Sequence, residues 1–313
     1  MAESLRGRFV WHELTTSDPK AGVAFYRDVV GWTPQAWDKD PSYTLLMTGG
    51  RRMAGSMLLP EAAKAMGAGP HWMNYIGTPN ADVTARQAVE FGGKVLRPAA
   101  DIPDIGRFAI LQDPQGAVFA VFTPKGAPQG DMKPGLGDFS WHELATTDWQ
   151  SAWNFYQKLF GWEKTESMEM GPGNVYQMFG WKGNTIGGMF NKPANMPFPP
   201  FWLPYALVPD AKKVAEIVPR LGGKVMNGPM EVPGGDWITQ GMDPQGAMFA
   251  VHSKKPAAPA KKATPAKKAK PAAAKPKKKS KPAAKARAPK KAKPAKKSKK
   301  SAKTRARKGG KRR

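Results

Sequence analysis

Four residues, Trp11-His12-Glu13-Leu14, return unchanged as Trp141-His142-Glu143-Leu144, and much of the chain returns with them at the same spacing of 130. Phe25-Tyr26 recurs as Phe155-Tyr156, Gly31-Trp32 as Gly161-Trp162, and Tyr75 as Tyr205. Gly92-Gly93-Lys94-Val95 recurs as Gly222-Gly223-Lys224-Val225, and Asp113-Pro114-Gln115-Gly116-Ala117 as Asp243-Pro244-Gln245-Gly246-Ala247. A period this long exceeds any solenoid unit, so the sequence describes a duplicated domain followed by an extension. The expected boundaries are 1–124 for the first domain, 125–137 for a linker rich in Pro and Gly, 138–253 for the second domain and 254–313 for a tail.

Charge separates the tail from the rest. Of the 50 Lys and Arg residues, 28 lie in the last 60 positions, where there is no Asp or Glu, so residues 1–253 hold 22 basic and 24 acidic side chains and a net charge of −2. The net +26 of the whole chain therefore belongs to the tail and says nothing about the folded part. Each repeat is near the commonest domain size of roughly 100 to 150 residues and can bury a core of its own. Cysteine is absent, which excludes disulfides, thiolate metal ligands and cysteine nucleophiles. The first residues lack the apolar run of a secretory signal, and no stretch approaches the ~18 apolar residues of a membrane span. The cytosol is the expected compartment, with no membrane partner.

Within each repeat the pattern is strand, helix, three strands, twice over. Residues 9 to 16 alternate as a strand, with Trp11, Glu13 and Thr15 on one face and Val10, His12 and Leu14 on the other. Asp18 before Pro19 is a helix start, and Ala21, Phe25 and Val29 form an apolar stripe up to Gly31. In the second repeat Asp148 takes the cap, and Trp149, Trp153, Tyr156 and Phe160 form the stripe. Short strands are expected at 32–37, 43–47, 53–59 and 72–76, with a loop between the last two. A helix from about Asn80 ends at Gly92-Gly93, and strands follow near 94–97, 107–112 and 118–123. The last two join through Asp113-Pro114-Gln115-Gly116, a sequence suited to a type I turn. The fold class is thus α+β: four βαβββ modules forming two tandem domains.

These residues resemble the vicinal oxygen chelate superfamily, which includes glyoxalase I, bleomycin-resistance proteins and extradiol dioxygenases. The likeness rests on Asp18 with Phe25-Tyr26 and Gly31-Trp32, their counterparts at Asp148, Phe155-Tyr156 and Gly161-Trp162, and the two Asp-Pro-Gln-Gly turns. It implies paired βαβββ modules whose sheets enclose a cleft, and in the family's enzymes a metal held from the first and last strands of the modules. The first-strand ligand, usually His, would fall on Trp11 and Trp141, and the last-strand ligand, usually Glu, on Ala120 and Ala250. His12 and His142 are one place off, which turns them to the opposite face of the strand. No cofactor is expected on this count; a divalent metal with displaced ligands is the alternative that the resemblance carries.

By strand parity the cleft holds a different set. The expected ligand-binding residues are Trp11, Glu13, Tyr75 and Phe122 in the first repeat and Trp141, Glu143, Tyr205 and His252 in the second. Trp beside Glu on one strand face suits a cationic or planar aromatic ligand, held by stacking and charge. A second reading keeps both Glu side chains as structural groups that take Tyr or backbone hydrogen bonds. A third makes Glu13 and Glu143 acid/base catalysts, because a carboxylate among indole rings is partly desolvated.

The tail uses almost only Lys, Ala, Pro, Arg, Ser, Gly and Thr, with nothing large and apolar to bury, so disorder is expected. It resembles the basic tails of linker histones and histone-like bacterial proteins, which implies nucleic-acid binding without sequence readout. The residues expected to neutralise phosphates include Lys261, Lys262, Lys267, Lys268, Lys277, Lys278, Lys279, Lys290, Lys291, Lys296, Lys297, Lys299, Lys300, Arg305, Arg307, Arg312 and Arg313. The overall expectation is a small-molecule-binding protein, monomeric and acting as a pseudo-dimer, tethered by its tail to nucleic acid in the nucleoid. The alternatives are an enzyme of the same fold and a nucleoid-associated structural protein.

Overall fold

Asp18 and Asp148 open the first helix of each repeat by accepting two backbone N–H groups each, from Lys20 and Ala21 and from Gln150 and Ser151. At the other end Gly31 and Gly161 supply the left-handed turn that stops the helix. The structure, a computed structural model, describes residues 5–126 and 133–255. The tail expectation and part of the expected linker lie outside those residues.

The first repeat runs β1 (Phe9–Thr16), α1 (Pro19–Val30), β2 (Thr33–Trp37), β3 (Asp40–Thr48), β4 (Arg51–Leu58), α2 (Glu61–Ala65), β5 (His71–Gly77), α3 (Ala81–Glu90), β6 (Lys94–Ile102), β7 (Gly106–Gln112) and β8 (Val118–Pro124). The second runs β9 (Phe139–Thr146), α4 (Trp149–Phe160), β10 (Glu163–Glu169), β11 (Val175–Trp181), β12 (Asn184–Asn191), β13 (Phe201–Leu207), α5 (Ala211–Ile217), β14 (Lys224–Glu231), β15 (Trp237–Met242) and β16 (Met248–Ser253). Each repeat is one eight-stranded sheet, in the order β2-β3-β4-β1-β5-β8-β7-β6 and β10-β11-β12-β9-β13-β16-β15-β14. Each module thus contributes four adjacent strands, and the two modules of a repeat join where their first strands run antiparallel, β1 on β5 and β9 on β13. This is the paired-βαβββ, α+β architecture expected from the sequence.

Two local readings need correction. The connection after β4 holds a short helix, α2, with no buried residue. The strict alternation expected along the first strand is broken by a bulge between Phe9 and Trp11, and the second repeat has the same irregularity at Ser140. An extra residue at a bulge upsets the period of two, so Val10 packs with Trp11 and Tyr75 instead of on the opposite face.

The main cores lie between the repeats. Phe25, Tyr26 and Val29 of α1 pack with Ala206, Val214, Phe249 and Val251 of the second repeat. Phe155, Tyr156 and Phe160 of α4 pack reciprocally with Ala85, Ala88, Phe119 and Val121 of the first. The repeated motifs make this exchange specific. Tyr26 donates to Asp243 Oδ2 at 3.1 Å and Tyr156 to Asp113 Oδ2 at 3.0 Å, while Trp72 and Trp202 donate to those same tyrosine oxygens at 2.9 Å. Trp32 Nε1 reaches the Gly137 carbonyl and Trp162 Nε1 the Gly7 carbonyl. Asp113 Oδ1 meanwhile accepts from the amides of Gln115, Gly116 and Ala117, so the turn is built around its carboxylate.

His12 and His142 meet between the repeats, Nε2 to Nε2 at 2.8 Å, both buried. Phe139 stacks on His12 at 3.8 Å and Phe9 on His142 at 3.5 Å between ring centres. His142 Nδ1 faces the Ile186 carbonyl at 3.3 Å, which can only accept, so the His142 proton sits on Nδ1 and its Nε2 accepts from His12. Burial holds His142 down to about 3 and, with the neighbouring His142, His12 well below the usual histidine range. Both rings are neutral in the fold and take a proton near pH 6.5 once unfolded. Their effect on stability is therefore nil above about pH 6.5, and unfolding becomes easier by up to about 1.4 kcal/mol per pH unit per ring below it. Urea unfolding from pH 7 to pH 4.5 should show this slope, and His142→Asn should reduce it by about one proton; an unchanged slope would contradict the neutral pair.

Candidate functional site

The face of each sheet away from α1 and α3, or from α4 and α5, carries a smaller cluster. In the first repeat it comprises Met73, Tyr75, Phe108 and Ala120 with Trp11, Ile110 and Phe122 around them; in the second, Leu203, Tyr205 and Ala250 with Trp141, Ile238 and Met248. Strand parity brings Glu13 and Glu143 to these faces.

Glu13 lies opposite Gly55 of β4 on one side and Met73 of β5 on the other. The Tyr43 hydroxyl donates to Glu13 Oε2 at 2.8 Å, and the Tyr75 hydroxyl donates to Oε1 at 3.0 Å. Trp11 Nε1 in turn donates to the Tyr43 oxygen at 3.0 Å. In the second repeat Tyr176 and Tyr205 donate to the two Glu143 oxygens at 3.1 and 2.9 Å, and Trp141 Nε1 donates to Tyr176 at 2.8 Å. The same carboxylate, two phenols and indole are thus assembled twice. Gly55 and Gly188 make the geometry possible, because a Cβ at either would overlap the ring of Tyr43 or Tyr176.

Burial pushes the Glu13 carboxyl above its usual range, and the hydrogen bonds from Tyr43 and Tyr75 and the charge of Arg97 only partly offset it. Burial does the same to Glu143, against Tyr205, Tyr176 and Gln240. The surroundings of the two carboxylates differ. In the first repeat the Arg97 guanidinium lies 4.7 Å from the centre of the Phe108 ring. In the second, Gln240 Nε2 donates to Glu143 Oε1 at 3.1 Å and to the Tyr205 oxygen at 2.6 Å.

Of the residues expected from sequence, Trp11, Glu13 and Tyr75 join one network, and Trp141, Glu143 and Tyr205 join the other. Phe122 packs against the first cluster without a polar contact. His252 lies apart from Glu143's partners, bonded to Ser140 and Asp236. Tyr43 and Tyr176 escaped the sequence comparison because they are 133 positions apart and not 130; the matching glycines, Gly55 and Gly188, share that offset and were the available signal. Gln240, Ser140 and Asp236 have no like residue in the first repeat, so repetition could not point to them.

A divalent ion does not fit these residues. Each Glu is surrounded by phenol and indole groups that donate hydrogen bonds, while the positions matching the family's ligands are Trp11, Ala120, Trp141 and Ala250. Among the described residues no group of three or more His, Asp and Glu is arranged to hold a metal. Two surface grooves, of about 260 Å³ beside Phe91 and Phe155 and about 470 Å³ along α3 and β6, contain none of these residues.

Because the carboxyls are held against their ionisation, Glu13→Gln and Glu143→Gln should leave stability at pH 7 unchanged or raised, whereas Glu→Ala, which strands two tyrosine hydroxyls, should cost about 1–3 kcal/mol. Urea unfolding of the four variants checks this; a Gln variant as damaged as its Ala counterpart would show that the ionised form is what the fold needs.

Comparison with known proteins agrees with this architecture. The chain matches the family described as Glyoxalase-like domain over residues 11–122. It is 30% identical over 262 residues to a Mycobacterium tuberculosis protein named "Putative glyoxylase CFP32", covering 82% of this chain and 98% of that one. It is 28% identical to "Anthracycline biosynthesis protein DauV" of a Streptomyces species, covering 81% and 96%. The Mn(II)-bound glyoxalase of Novosphingobium aromaticivorans superimposes with a TM-score of 0.53 at 16% identity, over 80% of this chain and 82% of that one, a likeness of fold. With module order, repeated motifs and relatives in agreement, the chain belongs to the glyoxalase-like family of the vicinal oxygen chelate superfamily, as a member with two tandem repeats in one polypeptide.

Proposed function

We propose that the protein binds small planar aromatic molecules on the two Trp–Glu–Tyr faces without a metal, and that its tail tethers it to nucleic acid. The observation that carries the first part is the duplicated set of one carboxylate, two phenols and one indole. A half-buried carboxylate already satisfied by two phenol donors keeps spare lone pairs for a ligand's hydroxyl or ammonium group, and the indole and phenyl rings supply a flat apolar wall. The relative's name, which refers to anthracycline biosynthesis, supports a polycyclic aromatic ligand. A second reading is favoured by the raised Glu13 and Glu143 carboxyls: burial makes each a stronger base than an exposed glutamate, which also suits it to moving a proton on a bound phenol or quinone.

Tryptophan fluorescence of the full-length protein titrated with a hydroxyanthraquinone and with a cationic aminoalkyl-anthraquinone tests the binding site. We expect saturable quenching, tighter for the cation, and a loss of at least about tenfold in affinity, or 1.4 kcal/mol, when Glu13 and Glu143 are both changed to Gln. Affinities untouched by that double change would place the ligand elsewhere. Chemical change of the bound quinone, read by mass spectrometry, would favour the proton-transfer reading.

For the tail, the support is its 28 basic residues without an acid, joined to folded repeats of net charge −2. Each phosphate neutralised on duplex DNA contributes about −0.9 to the slope of log K against log salt. Engagement of even a third of the basic residues should make binding collapse steeply between low and physiological salt, with little sequence preference. Full-length protein and a truncation after Ser253, titrated on unrelated duplexes, decide it: affinity retained by the truncated protein would assign nucleic-acid binding to the repeats.

A further inference from the structure

The bulge at the start of each first strand presents an extra side chain to the helix-free face, and the two repeats use it differently. In the first repeat the residue is Val10, among apolar neighbours that include Phe122. In the second, three corresponding positions differ: Ser140 stands where the first repeat has Val10, Asp236 where it has Gly106 and His252 where it has Phe122. Ser140 Oγ lies 2.9 Å from His252 Nδ1, and His252 Nε2 lies 2.8 Å from Asp236 Oδ2. Asp236 Oδ1 is fixed by the Lys255 amide at 2.8 Å.

The proton positions follow from the partners. A carboxylate can only accept, so it holds the imidazole proton on Nε2 and leaves the Nδ1 lone pair facing the serine hydroxyl. The other acceptor near Ser140 Oγ, the Tyr205 carbonyl, is 3.5 Å away, so the hydroxyl donates to His252. The chain is reachable from solvent, with the His252 and Asp236 side chains 16% and 33% exposed and Ser140 half-buried. The first repeat closes the same corner with apolar side chains, so the fold does not require a polar chain there. Bulges also recur beside reactive sites, where they re-aim one side chain.

We propose that Ser140 is a base-activated nucleophile that takes an acyl group from small carboxylic esters, with His252 as the base and Asp236 as the residue that positions it. Ser140 Oγ attacks the ester carbonyl carbon as its proton passes to His252 Nδ1, and the resulting imidazolium is stabilised by Asp236. Collapse of the tetrahedral adduct breaks the bond to the leaving alkoxide, which takes the proton from His252 and departs as the alcohol. Water then attacks the Ser140 ester through the same base, releasing the acid and restoring the hydroxyl. This proposal is independent of the binding reading for Glu13 and Glu143, since none of the three residues touches either carboxylate in the structure.

The test is covalent labelling of the full-length protein with an alkyl fluorophosphonate, in which the Ser Oγ–P bond forms as P–F breaks, followed by peptide mass spectrometry. A parallel assay measures release of p-nitrophenol from p-nitrophenyl acetate. We expect one adduct on the peptide carrying Ser140 and none in Ser140→Ala. Labelling and nitrophenol release should each be at least tenfold slower in His252→Phe and in Asp236→Asn, with unchanged urea midpoints. Should His252→Phe fail to fold alone, His252→Gln, which keeps Ser140 and a polar side chain beside Asp236 but supplies no base, takes its place, with the same tenfold loss of labelling expected at an unchanged urea midpoint. The proposal is overturned if the folded protein gives no Ser140 adduct, if His252→Phe labels at the native rate, or if exposed hydroxyls such as Ser151 react equally fast.

Discussion

Two crossed hydrogen bonds, Tyr26 to Asp243 and Tyr156 to Asp113, tie the two repeats to each other. Each joins a helix of one repeat to the last turn of the other, and each tyrosine oxygen also accepts an indole N–H from its own repeat. In a buried setting, a hydrogen bond to an ionised group contributes about 1.5–3 kcal/mol, and an orphaned partner costs a comparable amount. The aromatic side chains around these bonds come from both repeats, so the core cannot be divided at the linker. Asp113 and Asp243 are buried, and that burial raises both carboxyls despite their amide and phenol donors.

Committing the helix side of both sheets to this contact leaves the opposite faces free for chemistry. There the positions that the family resemblance matches to metal ligands carry Trp and Ala, and the glutamate two residues further along each first strand accepts hydrogen bonds from two phenols. In the binding reading proposed above, such a face takes an organic ring with a donor or a positive charge at its edge. The two faces have also diverged. Arg97 over Phe108 gives the first a cationic rim, while Gln240, Ser140, His252 and Asp236 give the second a polar, hydrogen-bonded one.

What was legible in the sequence follows from locality. The caps at Asp18 and Asp148, the helix stops at Gly31 and Gly161 and the face occupied by Glu13 depend on residues a few positions apart, and the repeat made each of them visible twice. Long-range partners were not legible: Tyr26 and Asp243 are 217 positions apart, and the motifs that identify the family gave no hint that they bind across the repeats. Tyr43 and Tyr176 were hidden by a three-residue shift in the second repeat, although Gly55 and Gly188 carried the trace of their rings. The bulge at Val10 and Ser140 was beyond reach because it depends on how β1 and β9 pair with their neighbours. The pairing of His12 with His142 needed both repeats in place, although their removal from the ligand face followed from parity alone.

Central to the proposed function is that Glu13 and Glu143, with their tyrosines, take an aromatic ligand and no metal ion. Crystallographic density for the protein grown with a cationic aminoalkyl-anthraquinone and an excess of Mn(II) addresses both halves of that statement at once. The account predicts the ring system against Trp11 or Trp141 with its ammonium group at the adjacent glutamate, and no anomalous signal for manganese there. A manganese ion coordinated by Glu13 or Glu143, with the aromatic compound bound to it or absent, would contradict the account.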